Sequence, residues 1–332
     1  MFGTLLGGLP RPVGADGVAI VEDDAAVVIA LDAQATAGLG PLTDGRLRWR
    51  GSFDPIARLD GVEADAAGIH LARMPRWLAP LTVDAWRFAA DQAGGFVTQA
   101  LPGPYTLGRR FGAADPGAAS DAFADALGRE IRALGDAGCA LIVVEELDAH
   151  LVGGDEIERA RFAAAHTRLL RGLDGLHLSL SIVGGSADGA GIGTILAAPY
   201  ASLAVDLIAG PDNWRLVTAT PGDRGIVCGA VSPIVPPDEG PELLVWAAAY
   251  AAASSGRGPD RVGLGTAGGL EQRTWADAVA LMGSLGRAAR LAGRPFAEIA
   301  PELAPAALDL RSAALGRYVP PGRPKPRPER PR

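Results

Sequence analysis

Eight short apolar runs recur along this chain, most of them followed by a helical pattern. No other feature constrains the fold as strongly. The candidate strands are Thr4–Gly8, Pro41–Asp44, Phe96–Leu101, Ala140–Glu145, Leu176–Val183, Leu203–Ile208, Gly225–Ala230 and Arg261–Gly265. Helical patterns are clear over Ala25–Leu39, Ala119–Ala137, Glu156–Leu173, Glu242–Ala253 and Thr274–Ala292. Strands buried on both faces of a parallel sheet read as near-continuous apolar runs, and LIVV (141–144) and LAVDLI (203–208) do so. The rhythm specifies βαβ units around a parallel sheet. A doubly wound open sheet accepts the same alternation, usually with fewer strands per domain. Eight strands with intervening helices are what a (β/α)8 barrel requires. The expected fold class is therefore α/β, a single TIM barrel over residues 1–318. Residues 47–79 fit no single unit and read as an insertion after the second strand, expected over the barrel's C-terminal face. Residues 319–332 (VPPGRPKPRPERPR) hold too few apolar side chains to bury a core and are expected to form a disordered tail.

Composition removes several chemistries. Of 31 basic residues, one is lysine, Lys325, in that Pro-rich tail. A Schiff-base lysine needs a shaped, desolvated pocket, and a Walker-type phosphate loop needs its own lysine, so neither is expected. Two cysteines make no disulfide scaffold and no paired C-x-x-C zinc motif. A net charge of −7 argues against a nucleic-acid surface. The N-terminal stretch MFGTLLGGLPRP lacks the basic start of a signal peptide. The longest apolar run, near Leu243–Ala253, falls short of the ~18–20 residues that span a bilayer. A cytoplasmic protein with neither membrane nor nucleic-acid partner is expected; its oligomeric state is not legible.

The acidic residues carry the strongest chemical signal. Glu145 and Glu146 end a very apolar strand, LIVVEE, and the C-terminal ends of barrel strands form the active face. Asp44 ends the second strand in LTDGR. Asp206 is acidic within an apolar run, where a carboxylate needs a partner. The alternative for the Glu145–Glu146 pair is a helix-starting role, since negative charge favours a helix N-terminus. GLGTAGG (263–269) matches G-x-G-x-x-G, but no following strand with an acidic end completes a dinucleotide fingerprint. It reads as a Gly-rich loop, as does GGSADGAGIG (184–193). His70, His150, His166 and His177 form no metal-binding spacing. Cys139 and Cys228 read as small buried apolar residues.

Several separated stretches together resemble the C-terminal catalytic barrel of the cobalamin-independent methionine synthase family. GGLPRP (7–12) looks like that family's opening Gly-Ser-Phe-Pro-Arg strand. QATAGLGPLTDGR (34–46) is similar to its Gln-Glu-x-Ala-Gly-Leu-Asp-x-Leu-Thr-Asp-Gly-Glu segment, and LPGPYTLG (101–108) to its Gly-Pro-x-Thr-Leu turn. DAGCALIVVEE (136–146) resembles the stretch ending in Asp-Glu-Pro-Ala, and GLEQRTWADAVALM (269–282) the Gly-Leu-x-x-Arg-x-Trp segment. Order and spacing hold over roughly residues 3–292. The resemblance implies a (β/α)8 barrel, a methyltransferase ancestry and a zinc-activated thiolate, since a metal lowers a thiol's pKa. It implies zinc ligands at Ser179, Ser181, Asp206 and Gly268. Here hydroxyls and a glycine replace the family's histidine and cysteines, so the ligands of a normal zinc site are missing. The opening serine corresponds to Gly8, and His177 corresponds to a histidine that is not a ligand. The glutamate of Thr-Asp-Gly-Glu corresponds to Arg46, a charge reversal.

The expectation is a diverged methionine-synthase-like barrel with no cofactor and altered transferase chemistry on a small anionic substrate. Glu145, Glu146 and Tyr105 are the candidate catalytic groups. Asp44, Arg46, Asp206, Ser179 and Ser181 are the candidate substrate-binding groups. The alternatives are a non-catalytic ligand- or partner-binding barrel, and decarboxylase-like acid–base chemistry.

Overall fold

A computed structural model describes residues 1–303 except Ala15, Ala67, Ala113 and residues 234–240. The expected tail at 319–332 lies outside the described residues. The described strands are β1 (Phe2–Thr4), β2 (Asp60–Asp65), β3 (Gly68–Arg76), β4 (Gln99–Pro102), β5 (Leu141–Glu146), β6 (His177–Ile182), β7 (Ser202–Asp206), β8 (Gly225–Val231) and β9 (Val262–Thr266). Seven of them form one parallel sheet in the order β1-β9-β8-β7-β6-β5-β4. The segment Pro41–Asp44 fills the gap between the two ends. Leu42 N–H donates to Phe96 O (2.7 Å) and Thr98 N–H to Leu42 O (2.8 Å). On the other side Gly40 N–H donates to Gly3 O (2.8 Å), and Thr4 Oγ1 to Pro41 O (2.8 Å). Eight segments thus curl into a TIM-like α/β fold, each at or beside a position expected from the sequence.

The helices between them include α1 (Asp23–Thr36), α2 (Val83–Gln92), α3 (Pro104–Phe111), α4 (Pro116–Asp136), α5 (Glu156–Leu169), α6 (Ile192–Leu196), α7 (Trp214–Ala219), α8 (Glu242–Ala253) and α9 (Trp275–Ala292). Local chemistry starts several of them. The side chains of Asp115, Asp155 and Thr274 cap α4, α5 and α9 by accepting from the first free N–H groups. Strand side chains alternate between the two faces of the sheet. Ile142, Val144, Leu178, Leu180, Leu203, Val205 and Leu264 point outward into the main core under the helices. The lumen receives the other set, in which Ser179, Ser181, Ala204, Gly263 and Gly265 are small.

The insertion departs from expectation in part. Its first residues, Leu47–Ser52, lie at the barrel mouth. After a 3-10 helix at Asp54–Arg58, the chain forms the antiparallel hairpin β2–β3, which packs along α4 on the barrel's flank and not over its C-terminal face. The reason is a buried anchor on α4. Glu130 accepts from Trp77 Nε1, Leu81 N and Thr82 N at 2.8 Å each and from Thr82 Oγ1 at 2.9 Å. A fully buried carboxylate needs such donors, and the returning arm of the insertion supplies them.

Candidate functional site

The C-terminal ends of the strands frame a cavity of about 410 Å³. Leu9 and Arg11 follow β1, Gly45 to Ser52 follow the second strand segment, and Glu271 and Gln272 follow β9. The turn after Asp44 is unusual. Gly45 and Arg46 both have positive φ, +66° and +56°. For a non-glycine residue that conformation is uncommon and carries a cost. Asp44 holds the turn: its Oδ1 accepts from Arg46 N–H (2.9 Å). The result carries the Arg46 side chain into the cavity wall. Its guanidinium pairs with Glu145 and lies 4.8 Å from the centroid of the Trp49 ring, while its Nε has no partner within the described residues. Arg11 and Arg50 stand on the same rim and share Asp23. The Glu271 carboxylate accepts from Gly8 N–H (2.9 Å), and a Cβ on Gly8 or Gly269 would collide with it.

Asp44 is buried, and its Oδ2 has no hydrogen-bond partner within the described residues. Burial raises its pKa above the ordinary carboxylate value. The Arg46 N–H and the charges of Arg46 and Arg48 oppose that rise without cancelling it. A buried carboxyl whose pKa is raised therefore stands beside the Arg46 turn.

The remaining sequence candidates disperse. Glu145 and Glu146 are neighbours on one strand and so face opposite ways. Glu145 reaches Arg46. Glu146 turns out under the helices, where its carboxylate accepts from Tyr105 N (3.0 Å), Thr106 N (2.8 Å) and Thr106 Oγ1 (2.5 Å) at the start of α3. His166 on α5 completes this cluster. Its Nδ1 contacts Tyr200 Oη at 2.7 Å, and its Nε2 lies 3.1 Å from Glu146 Oε1 without hydrogen-bond alignment. Tyr105 is fully buried; its hydroxyl donates to Glu158 (2.6 Å) and its ring packs on Phe162. Glu146 and Tyr105 thus sit between barrel and helices, away from the mouth cavity.

Asp206 is likewise engaged. Its Oδ1 accepts from Ile208 N (2.9 Å) and Ala209 N (2.8 Å), and its Oδ2 from Gly184 N (3.2 Å). Ser181 is fully buried with its hydroxyl unpaired within the described residues. Ser179, two residues earlier, lines a different cavity at the other end of the barrel. Gly268 sits in the loop after β9 with open space where a Cβ would stand. These four positions offer one carboxylate, already taken by three backbone N–H groups, and no sulfur or imidazole. A zinc ion needs N, S or free carboxylate ligands, so the residues present do not fit one. Among the described residues no group of three or more His, Cys, Asp or Glu could hold a metal ion.

Sequence reasoning missed Arg11, Trp49, Arg50 and Glu271. Arg11 lies in the GGLPRP stretch and Glu271 in GLEQRTW, so the motifs did point to their neighbourhoods. Trp49 and Arg50 belong to the insertion, which carries no motif.

No protein-family model and no curated protein matches the chain. Solved structures do. A B12-independent methionine synthase from Shewanella sp. W3-18-1, in complex with selenomethionine, superposes with a TM-score of 0.73 at 16% identity, covering 95% of this chain and 98% of that one. A candidate vitamin-B12-independent methionine synthase from Listeria monocytogenes gives 0.70 at 17% identity, covering 87% and 97%. A methyltransferase from Methanosarcina mazei gives 0.55 at 13% identity, covering 87% and 94%. No described helix is long and apolar enough to cross a membrane. The chain therefore has the fold of the methionine-synthase-like barrels that its sequence motifs resemble.

Proposed function

We propose that this chain is a diverged methionine-synthase-like barrel that binds a small anionic substrate in the mouth cavity. In this reading it acts as a transferase without a zinc-bound thiolate. One observation carries the proposal: Arg46, held in a left-handed backbone, stands in the cavity wall between Glu145 and Trp49. Strained backbone of this kind concentrates at functional sites. A guanidinium binds carboxylate, phosphate or sulfonate through two parallel N–H donors. The fully engaged Asp206 and the absence of sulfur or imidazole at Ser179, Ser181 and Gly268 support chemistry that does not run through zinc.

The test has two arms. Thermal unfolding is followed with a panel of small carboxylates, phosphates and sulfonates, for the natural chain and for Arg46→Gln. The expected result is stabilisation of the natural chain by at least one anion class and its loss in the variant. No stabilisation, or stabilisation that survives Arg46→Gln, overturns the anion site. Metal content by mass spectrometry forms the other arm. Near-stoichiometric zinc in the purified natural protein overturns the zinc-free reading.

A second reading is a barrel that binds its ligand without chemistry. It is favoured by the engagement of Glu146 and Tyr105 between barrel and helices and of Asp206 in a loop. Decarboxylase-like acid–base chemistry would rest instead on Asp44, the buried carboxyl with the raised pKa. Incubation of the stabilising ligand with the protein, with and without methyl donors, separates these readings: unchanged ligand supports binding alone, carbon dioxide release a decarboxylase.

A further inference from the structure

A TIM barrel is normally filled by layers of bulky branched side chains. In this chain the lumen near the strand starts is not. Val143, Ser179, Ser202 and Gly225 stand side by side across β5 to β8, and Ala204, Val227, Gly263 and Phe2 across the next rung. Phe2, whose ring lies over Gly263, is the large member of the set; the small volumes of the others leave a cavity of about 990 Å³ that opens at the N-terminal end of the barrel. Its lining shares no residue with the mouth cavity. An apolar plug of Leu6, Val183 and Ala204, packed with Leu147 and Val227, lies above it. The volume falls within the range of small-molecule pockets.

The polar inventory of the cavity says what would fit. Thr4 Oγ1 donates to Pro41 O (2.8 Å), Thr98 Oγ1 to Leu42 O (3.2 Å), and Ser202 Oγ contacts His177 Nε2 at 2.9 Å. Ser179 is 4% exposed, lines the cavity and makes no side-chain hydrogen bond within the described residues. Its hydroxyl is free to bond an occupant. The charged lining residues, Asp223, Arg224, Asp260 and Arg261, precede the strands at the rim and balance in sign. No cationic side chain lines the deep wall, so a carboxylate placed there would be desolvated without a partner.

We propose that this lower lumen is a second binding site, for a neutral and mainly apolar small molecule whose single hydrogen-bonding group meets Ser179. The proposal stands independently of the anion site at the mouth.

Titration of the full chain with 2-naphthol, a neutral apolar probe with one hydroxyl and its own fluorescence, tests it. The expected result is saturable binding at one site. The charged analogue 2-naphthoate is expected to bind at least tenfold more weakly. Ser179→Leu, which pushes into the cavity and removes the hydroxyl, is expected to weaken 2-naphthol at least tenfold. Ala204→Val intrudes less from the next strand and gives the same readout should Ser179→Leu fail to fold. Arg46→Gln, at the other end of the barrel, is expected to leave the affinity unchanged. Absence of saturable binding, unchanged affinity in the filling variants, or loss of binding in Arg46→Gln would each overturn the proposal.

Discussion

At the scale of single residues the decisive position is Asp44. Its side chain accepts the Arg46 N–H that fixes the left-handed turn, yet its other oxygen is buried without a partner. Burial lifts its pKa above the ordinary 3.8, so the folded chain holds the proton more tightly than the unfolded chain does. The stability from this group is complete below pH 3.8 and declines as pH rises through the raised folded value. Asp44→Asn keeps the acceptor for Arg46 and removes the cost of burying charge. Denaturant unfolding at pH 7 is expected to show Asp44→Asn more stable than the natural chain, with the gain fading as pH falls through the raised folded value and gone by pH 3.8. A less stable variant at pH 7 would refute this account. The cysteines give a second residue-scale expectation. Burial pushes the Cys139 thiol up to about 11 and that of Cys228 up to about 12. Since the thiolate is the reactive form, Ellman's reagent at pH 8 should label neither in the folded protein and both after denaturation.

At the scale of elements, buried glutamates do structural work that their sequence context disguises. Glu130 lies within the long helix α4, where an acidic residue usually marks a solvent face, yet it gathers four donors from residues 77–82. Glu130→Ala would strand those donors, and unmade buried hydrogen bonds cost about 1–3 kcal/mol each. The expected loss, allowing for relaxation and entering water, is about 3 kcal/mol. Hydrogen exchange should show it first as lost protection across β2, β3 and residues 77–82; unchanged protection there would refute the anchor. Glu146 plays the corresponding part at the start of α3, a helix that precedes it in the chain. Negative charge there is favourable, and no room exists for a Cβ on Gly103 beside its carboxylate.

At the scale of the whole molecule, long-range polar ties close the ring and pin its outer layer. Arg257 is the largest fully buried side chain among the described residues. It donates to Arg224 O (3.1 Å), Ala251 O (2.7 Å), Val217 O (3.1 Å) and Thr220 O (2.9 Å), which binds α7, α8 and the start of β8 together. Arg257→Met preserves much of the volume and leaves those carbonyls without their donor. A loss of about 3 kcal/mol is expected in denaturant unfolding, against less than about 0.5 kcal/mol for an ordinary surface substitution. A loss within the surface range would show that water replaces the guanidinium. The two cavities also belong to this scale, because each is assembled from loops or strand ends far apart in the chain.

The sequence by itself determined the eightfold strand–helix alternation, the acidic pair ending the fourth strand, and the hydroxyls and glycine at positions 179, 181 and 268. These are local or compositional facts: periodicity and residue identity survive without knowledge of which segments meet. Only the tertiary structure decided which acidic residues face the mouth. Glu145 meets Arg46 across 99 residues, Glu146 is claimed by α3, Asp206 by its own loop, and Tyr105 by α5. Strand alternation says that neighbours point apart, but pairing register and the helix packed outside decide which face each takes. The hairpin's place on the flank depends on Glu130, and both cavities on strand stagger. Such choices rest on contacts between residues tens to hundreds of positions apart, which no local pattern encodes.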